Sequence, residues 1–280
     1  MMKAKELLPK RTADSNKGTY GKLLIIAGKK ECAGCAILSS LAALRSGLGM
    51  VKVVSPNSNF TAVMNTVPEA LFSSDTDDAS IRDDIAWADA VLIGPGIGTG
   101  NRAKRLVNLV LSSRDIPVVI DADGINVIAL NDQLKKALKK KAESDEVVIT
   151  PHLMEMSRLC GLPVPEIKKQ MKEIAAKISD EYGVTTALKD AATVTSSPEG
   201  EIVVNTTGNN GMSTAGSGDV LAGVVGSFLT QSLPGVEAAS LGVYVHGLAG
   251  DVAAEKYGVR GMKALDIAEA LPEALLRIEG

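Results

Sequence analysis

Residues 205–229, NTTGNNGMSTAGSGDVLAGVVGSFL, place one carboxylate among small residues and then continue as an apolar run. Gly216, Ser217 and Gly218 allow the backbone to approach a ligand closely. Because the first N–H groups of a helix lack intrahelical partners, a helix starting here would offer an anion site. Asp219 would stand beside that site, and a carboxylate next to a phosphate is explained if it acts as a general base.

The same segment also has a purely structural interpretation, because Asp is a good N-cap and Gly-Ser-Gly-Asp could be a turn and a cap. Two features favour a binding site instead. The glycine-rich stretch covers residues 208–218, which is longer than a cap requires. Gly223 and Gly226 lie inside the helix predicted at 220–229, where each costs about 1 kcal/mol relative to alanine. That cost predicts very close packing of the helix against another element.

The composition limits the class of protein. The 280 residues carry a net charge of −3 with a pI near 5.6, which argues against nucleic acid as the main partner. No apolar stretch is long enough for a transmembrane helix, and the polar N-terminus lacks the apolar region of a signal peptide. We therefore expect a cytoplasmic protein without a membrane partner, folded as a single domain over residues 1–280.

The three cysteines, Cys32, Cys35 and Cys160, are too few for a disulfide framework. Cys32 and Cys35 have the CxxC spacing of redox and zinc sites, but no second pair of Cys or His with ligand spacing follows. The flanking AILSSLAALRSGLG is typical of a packed helix. We therefore predict no redox or metal function for this pair.

Short β-branched runs alternate with helical patterns along the chain. The patterns predict strands at 22–27, 50–54, 90–93, 118–120, 146–149 and 185–188, and helices at 35–46, 101–111 and 220–229. An antiparallel pair is predicted at 193–196 and 202–205, around the turn signal Ser-Pro-Glu-Gly. This alternation predicts an α/β fold with a mainly parallel central sheet flanked by helices on both faces.

Residues suited to chemistry follow four of the predicted strands. In an open parallel sheet the ligand crevice lies beyond the carboxyl ends of the strands. Those ends carry the GPGIG segment from Gly94, the DADGIN segment from Asp121, His152 with Glu155, and Lys189. We expect these segments to meet at one edge of the sheet, where Asp219 would join them from the start of its helix.

Each of these residues alone has an ordinary structural interpretation. The GPGIG segment could simply turn the chain, and neither a Walker A motif nor a complete GxGxxG motif is present. Asp121 and Asp123 could be turn residues or hold magnesium through its waters. His152 could lie at the surface or contact a ligand, whereas His246 lies in an apolar run that favours the core or an interface. Lys189 could be exposed or meet a phosphate.

Taken together, these segments resemble the ADP/ATP-dependent NAD(P)H-hydrate dehydratase family, a branch of the ribokinase-like superfamily. The similar stretches cover nearly the whole chain in the family's order: KGTYGKLLIIAGKKECAGCAILSSLAALRSGLGMVKV, ADAVLIGPGIG, VVIDADGIN, TPHLMEMSRLCG, TALKD and NTTGNNGMSTAGSGDVLAG. The resemblance implies a three-layer ribokinase-like sandwich. It also implies a hydro-lyase that dehydrates the S-epimer of NADH hydrate or NADPH hydrate, with ADP (or ATP) phosphorylating the ring hydroxyl before elimination. ADP would give AMP and phosphate.

The resemblance also implies roles for individual positions. Asp219 would be the catalytic base. The hydrate would be bound by Ala36, Gly96, Gly98, Asp121, Asn126, His152, Asn209 and Asp219. The nucleotide would be bound by Lys189, Asp190, Ala191, Ala192, Thr193, Gly216, Ser217 and Gly218. Mg²⁺ would bridge the phosphates, with no protein ligand identified with certainty, and the family's usual oligomer implies a homotetramer.

The chain departs from the family pattern near both proposed ligands. Leu153 and Met154 follow the histidine where Pro-Gly is usual, and Asp190 replaces a usual glycine after the lysine. Asn210 replaces a usual proline, and Ala215 a usual glycine. Two alternatives therefore stay open: a small-molecule kinase of the same superfamily, similar to hydroxyethylthiazole kinase, and a nucleotide-binding sensor without catalysis.

Overall fold

A computed structural model describes residues 4–280, in which one nine-stranded sheet organises the chain. The strands are β1 (Lys22–Ile26), β2 (Met50–Ser55), β3 (Leu71–Ser74), β4 (Ala90–Ile93), β5 (Val118–Ile120), β6 (Val147–Ile149), β7 (Thr185–Leu188), β8 (Val194–Ser196) and β9 (Ile202–Val204). Their order is β3-β2-β1-β4-β5-β6-β7-β8-β9. All neighbours from β3 to β7 pair in parallel, whereas β8 pairs antiparallel with both β7 and β9. The predicted sheet and its antiparallel end are confirmed.

Helices connect these strands and cover the sheet. They are α1 (Ala4–Leu7), α2 (Gly34–Arg45), α3 (Phe60–Thr66), α4 (Asp78–Trp87), α5 (Asn101–Leu111), α6 (Asp123–Ala129), α7 (Asp132–Ala142), α8 (Leu153–Cys160), α9 (Val164–Lys169), α10 (Met171–Tyr182), α11 (Ser217–Thr230), α12 (Gly235–Gly261, interrupted at Gly258) and α13 (Ala264–Glu279). Within residues 4–280, no helix combines the length and apolarity needed to cross a bilayer.

Two hydrophobic cores lie on opposite faces of the sheet. Successive residues of a strand point to opposite faces, and β1 shows this directly. Leu23 and Ile25 belong to the core that contains the buried residues of α2, α11 and α13, whereas Leu24 and Ile26 belong to the core beneath α5 and α6. A strand covered on both faces must be apolar where it is buried, which explains the run LLII that follows Lys22. The result is the three-layer arrangement expected from the sequence.

Strand β3 is absent from the sequence-based prediction. Its residues, LFSS, lie at the outer edge of the sheet and are only partly buried, with Leu71 49% exposed. A half-covered edge strand needs neither a continuous apolar run nor a strict alternation, so the sequence carried no clear signal at 71–74.

Helix α11 begins earlier than predicted and packs as closely as its glycines suggested. It starts at Ser217 rather than at 220, which places Asp219 in its first turn. A Cβ atom at Gly223 would lie 2.2 Å from the carbonyl oxygen of Ser39 in α2, and one at Gly226 would lie 2.9 Å from a methyl group of Leu23. The two glycines therefore let α11 contact both α2 and the sheet.

Replacing Gly223 by alanine should lower the free energy of unfolding by about 1–3 kcal/mol, because the new methyl group overlaps a backbone atom. Urea denaturation followed by circular dichroism measures this change. Gly261→Ala is the matched control, since a Cβ atom there has nothing within 4 Å, and it should change stability by less than about 0.5 kcal/mol. Equal stability of the two variants would contradict the packing described here.

Candidate active site

The carboxyl ends of β6 and β7 and the start of α11 border a cavity of about 750 Å³. It brings together eight of the residues predicted to bind ligands: His152, Lys189, Asp190, Ala191, Thr193, Asn209, Ser217 and Gly218. Because parallel strands end at the same edge of the sheet, residues far apart in sequence converge here, as the sequence predicted.

Volume alone does not distinguish this cavity. A groove of about 700 Å³ runs along β9 and α12 and is lined by residues such as Ile202, Val204 and Tyr244. Among the described residues, the groove lacks the buried titratable groups that border the 750 Å³ cavity. Lys189 and His246 line the wall of that cavity, and Asp219 lies one residue beyond the lining Gly218. Because titratable groups with perturbed pKa values cluster at functional sites, the 750 Å³ cavity is the candidate active site.

Asp219 has the electrostatics of a general base. Burial, and then the negative charge of Asp121, raise its pKa to about 7, against the opposing effect of Lys189. A base whose pKa lies near neutrality is well matched to proton transfer. Asp219 is the third residue of α11 and not its N-cap, a position held by Gly216 with φ +91°. The purely structural interpretation of Asp219 as a cap is therefore wrong.

The start of α11 leaves backbone N–H groups for a ligand. No side chain caps this helix, so the N–H groups of its first turn lack side-chain acceptors. The N–H of Ser217 instead donates to the carbonyl of Thr214 at 3.3 Å. The predicted anion hole thus shifts toward Gly218 and Asp219, where the helix dipole also favours negative charge.

Asp121 and Lys189 form a buried ion pair, and their charges shift the pKa of Asp219 in opposite directions. The Nζ atom of Lys189 lies 2.7 Å from Oδ1 of Asp121, which also accepts a 2.7 Å hydrogen bond from the hydroxyl of Thr150. Burial alone would lower the pKa of Lys189, but Asp121 and then Glu155 raise it above its ordinary value. Lys189 is therefore charged, and it lies beside the backbone of Gly218.

His152 caps helix α8 and is fixed in one tautomer by Glu155. Its Nδ1 accepts hydrogen bonds from the N–H groups of Met154 and Glu155, at 3.0 and 3.2 Å. Its Nε2 lies 3.0 Å from Glu155 Oε1 and therefore carries the proton. Glu155 is buried, which would raise its pKa, but the hydrogen bond from His152 and the charge of Lys189 lower it below its ordinary value. The unusual Leu153-Met154 pair is accommodated within this capping box.

Ser217 is held by a second histidine. His246, from α12, places Nε2 at 3.3 Å from the Ser217 hydroxyl, and both residues are buried. Burial and the charge of Lys189 lower the pKa of His246 to about 4, so it is neutral. His246 is buried, as its apolar surroundings in the sequence predicted. Its contact with Ser217 joins it to a residue that is predicted to bind the nucleotide.

The loop before α11 is held by Asp251, which sequence reasoning missed. The carboxylate of Asp251 accepts hydrogen bonds from Asn209 Nδ2 and from the N–H of Gly208, both at 2.9 Å. Asn209 also donates to the carbonyl of Gly250 and accepts from the N–H of Gly211. Its side chain is thus engaged within the protein, and its role as a hydrate ligand stays a prediction.

The remaining residues predicted for the hydrate lie on neighbouring segments. Gly96 and Gly98 have positive φ angles, and Gly98 donates its N–H to Asp123 at 2.8 Å. Ala36 is completely buried in α2, and Asn126 accepts a 2.7 Å hydrogen bond from Arg158. The assignment of these four residues to a ligand stays a prediction.

Asp190 does not leave an unbalanced charge beside the nucleotide-side residues. Its carboxylate lies 3.1 Å from the Nζ atom of Lys168, whose side chain is 62% exposed. The neighbouring Ala191 and Ala192 are exposed, and Thr193 is buried. The ion pair offsets the negative charge that replaces the usual glycine.

The cysteines and carboxylates do not form a metal cage. In the described part of the chain, no group of three or more His, Cys, Asp or Glu side chains is arranged to hold an ion. Cys32 and Cys35 are free, and burial together with Asp219 raises the pKa of Cys35 to about 12. Mg²⁺ is commonly held by one or two carboxylates plus substrate phosphates. Of the two carboxylates predicted for it, Asp121 is paired with Lys189 and Asp123 accepts the N–H of Gly98, so a magnesium role for either stays a prediction.

The mainly parallel three-layer arrangement, with Asp219 and an uncapped helix start at its strand ends, is that of a ribokinase-like α/β protein. The chain belongs to the NAD(P)H-hydrate dehydratase family, whose model matches residues 23–273. It is similar to the ADP-dependent (S)-NAD(P)H-hydrate dehydratase of Neisseria meningitidis, with 36% identity over 93% of this chain and 86% of that protein.

Two further comparisons agree with this placement. The bifunctional NAD(P)H-hydrate repair enzyme of Moorella thermoacetica is 37% identical over 97% of this chain and 52% of its own length. The chain thus spans about half the length of that relative. The ADP/ATP-dependent NAD(P)H-hydrate dehydratase of Bacillus subtilis, co-crystallized with ATP/Mg²⁺, superposes with a TM-score of 0.85 at 28% identity, covering 99% of this chain and 96% of that one.

Proposed function

We propose that this protein dehydrates the S-epimer of NADH hydrate or NADPH hydrate, with ADP or ATP as the phosphoryl donor. The observation that carries the proposal is Asp219, a base with a pKa of about 7 in the first turn of an uncapped helix. The family, which the chain matches over residues 23–273, supports the substrate class. The proposal treats residues 1–280 as one domain.

The chemistry begins with transfer of a phosphoryl group. Hydroxide is a poor leaving group, so the ring hydroxyl is first converted to a phosphate ester. Asp219 accepts the hydroxyl proton while the hydroxyl oxygen forms a bond to the terminal phosphorus of the nucleotide. The bond from that phosphorus to the bridging oxygen breaks, and the nucleotide leaves one phosphate shorter. The N–H groups of Gly218 and Asp219 stabilise negative charge that develops on the transferred group. Lys189 adds a fixed positive charge beside Gly218.

Elimination then completes the dehydration. The carbon–oxygen bond breaks, phosphate leaves with the bonding electrons, and loss of a proton from the adjacent ring carbon restores the double bond. With ADP as donor the products are NAD(P)H, AMP and phosphate. When bound, Mg²⁺ would neutralise charge on the phosphates, with Asp123 as the candidate carboxylate. The family resemblance further supports a cytoplasmic homotetramer.

Absorbance at 340 nm tests the proposal directly, because restoring the nicotinamide ring restores its absorption. Purified protein with NADH hydrate and Mg²⁺ should give a rise that requires ADP or ATP, and the two nucleotides in separate reactions identify the donor. A stable phosphorylated product without the rise would favour a small-molecule kinase. Nucleotide binding without either product would favour a sensor, and both outcomes would contradict the dehydratase.

A further inference from the structure

The guanidinium group of Arg102 joins the loops that follow three different strands. Its Nη1 donates to the carbonyl of Ile97 at 3.1 Å, in the loop after β4. Its Nη2 donates to the carbonyl of Gly28 at 3.0 Å, in the loop after β1. Its Nε donates to the carboxylate of Asp75, just after β3. No other side chain type offers this planar fork of donors.

The two carbonyl acceptors lie next to residues that are predicted to bind the hydrate. Ile97 lies between Gly96 and Gly98, the two residues of the GPGIG segment predicted to bind the hydrate. The Gly28 loop leads into α2, which carries Ala36. A further bond, from the N–H of Gly28 to the carbonyl of Pro95 at 2.8 Å, links the same two loops directly.

The Gly28 loop needs such support, because it adopts a conformation that ordinary residues disfavour. Gly28 has φ +81°, and a Cβ atom there would lie 2.6 Å from the carbonyl oxygen of Cys32. Asn59 also supports the loop by donating to the carbonyls of Lys29 and Cys32, at 3.0 and 3.4 Å. Of these two side chains, Arg102 and not Asn59 also contacts the GPGIG segment.

The carboxylate of Asp75 balances the charge of Arg102. The side chain of Asp75 is only 5% exposed, and that of Arg102 is 29% exposed. An ion pair of this kind holds the fork in one orientation, so both carbonyl bonds can form at little further entropic cost. The arrangement fixes the distance between two loops that come from neighbouring strands β1 and β4.

We propose that Arg102 is a positioning residue, which holds the Gly28 loop and the GPGIG segment in the relative placement that the hydrate requires. This inference rests on the proposed function. It assigns Arg102 no contact with the reacting atoms. Its effect is therefore expected on the KM for the hydrate and not on the KM for the nucleotide, whose predicted ligands lie in the loop after β7 and at the start of α11.

Arg102→Lys tests the fork while keeping the positive charge beside Asp75. Because a lysine cannot satisfy both carbonyls and Asp75 together, the KM for NADH hydrate should rise about tenfold. The KM for the nucleotide should stay within about twofold of the wild type, since its predicted ligands are untouched. A purely structural role would change both KM values or neither.

Arg105→Lys is the matched control, because Arg105 lies on the same helix and pairs with Asp78 and the carbonyl of Asp75, but with neither loop. It should leave the KM for the hydrate unchanged. Amide hydrogen exchange of peptides covering 27–33 and 94–100 provides a readout that needs no substrate, and exchange should be faster in Arg102→Lys than in Arg105→Lys.

The outcomes separate this inference from the proposed function. Equal hydrate KM values and equal exchange in the two variants would overturn the role of Arg102. If the wild type neither binds nor converts the hydrate, the proposed function fails, and the exchange data alone decide whether Arg102 positions the two loops. Faster exchange with an unchanged hydrate KM in an active enzyme would also overturn the proposal.

Discussion

Asp219→Asn should lower kcat by about 10²- to 10⁴-fold while leaving nucleotide affinity nearly unchanged. Asparagine keeps the size of the side chain but cannot accept the hydroxyl proton. Removing a negative charge beside the phosphates should, if anything, help the nucleotide to bind. The measurements are kcat from the absorbance at 340 nm and nucleotide affinity from calorimetry. Activity near that of the wild type would show that Asp219 is not the base.

The pH dependence of the wild type checks the same role independently. Asp219 must be ionised to act, and its pKa is about 7. The value of kcat/KM should therefore reach a plateau above pH 7 and fall about tenfold per pH unit below it. Asp219→Asn should abolish this acid limb in its residual activity. An acid limb that persists in the variant would assign the titration to another group.

The stability of the variant distinguishes loss of the base from misfolding. The pKa of Asp219 is raised from 3.8 to about 7, so the ionised carboxylate is less favourable in the folded chain than in the unfolded chain. This raised pKa makes the wild type lose stability as the pH rises from about 4 to about 7. At pH 8, the asparagine variant should be at least as stable as the wild type.

The sequence was sufficient for features that depend on short-range pattern. Apolar runs located β1 and β4 to β7, and parallel strands must end at one edge, so Asp121, His152 and Lys189 could be placed together. The glycines of α11 indicated close packing, since two helical glycines are costly without a reason. The contact of Gly223 with Ser39 bears this out.

Pairings between distant segments could not be derived from pattern. The sequence marked Asp121 and Lys189 as separate candidates, but their mutual ion pair spans 68 residues and depends on the order of the strands. Asp251 lies in an apolar helix, and nothing local relates it to Asn209. Arg102 resembles any charged residue of an amphipathic helix, and only the folded chain brings it beside Ile97 and Gly28.

Lys189→Met should lower the free energy of unfolding by about 3–5 kcal/mol, because it leaves the Asp121 carboxylate buried without its partner. The Asp121 side chain is 2% exposed and that of Lys189 is 18% exposed, so water cannot replace the lost ammonium group. Urea denaturation at pH 8 measures the loss. A change below about 1 kcal/mol would place the pair in a more solvated setting than the structure shows.

Two further variants distinguish the stability lost by breaking the buried ion pair from the effect of removing any lysine. Lys168→Met removes the partner of Asp190, but the Lys168 side chain is 62% exposed, so the cost should be at most about 1 kcal/mol. The double variant Asp121→Asn with Lys189→Met removes both charges and should recover part of the stability lost by Lys189→Met alone.

Lys189 also lowers the pKa of Asp219, so its removal should move the acid limb of the residual activity to higher pH. Asp121 raises that pKa, so Asp121→Asn alone should move the limb to lower pH. Opposite shifts from two partners of one ion pair would show that their charges, and not merely the fold that they stabilise, tune the proposed base.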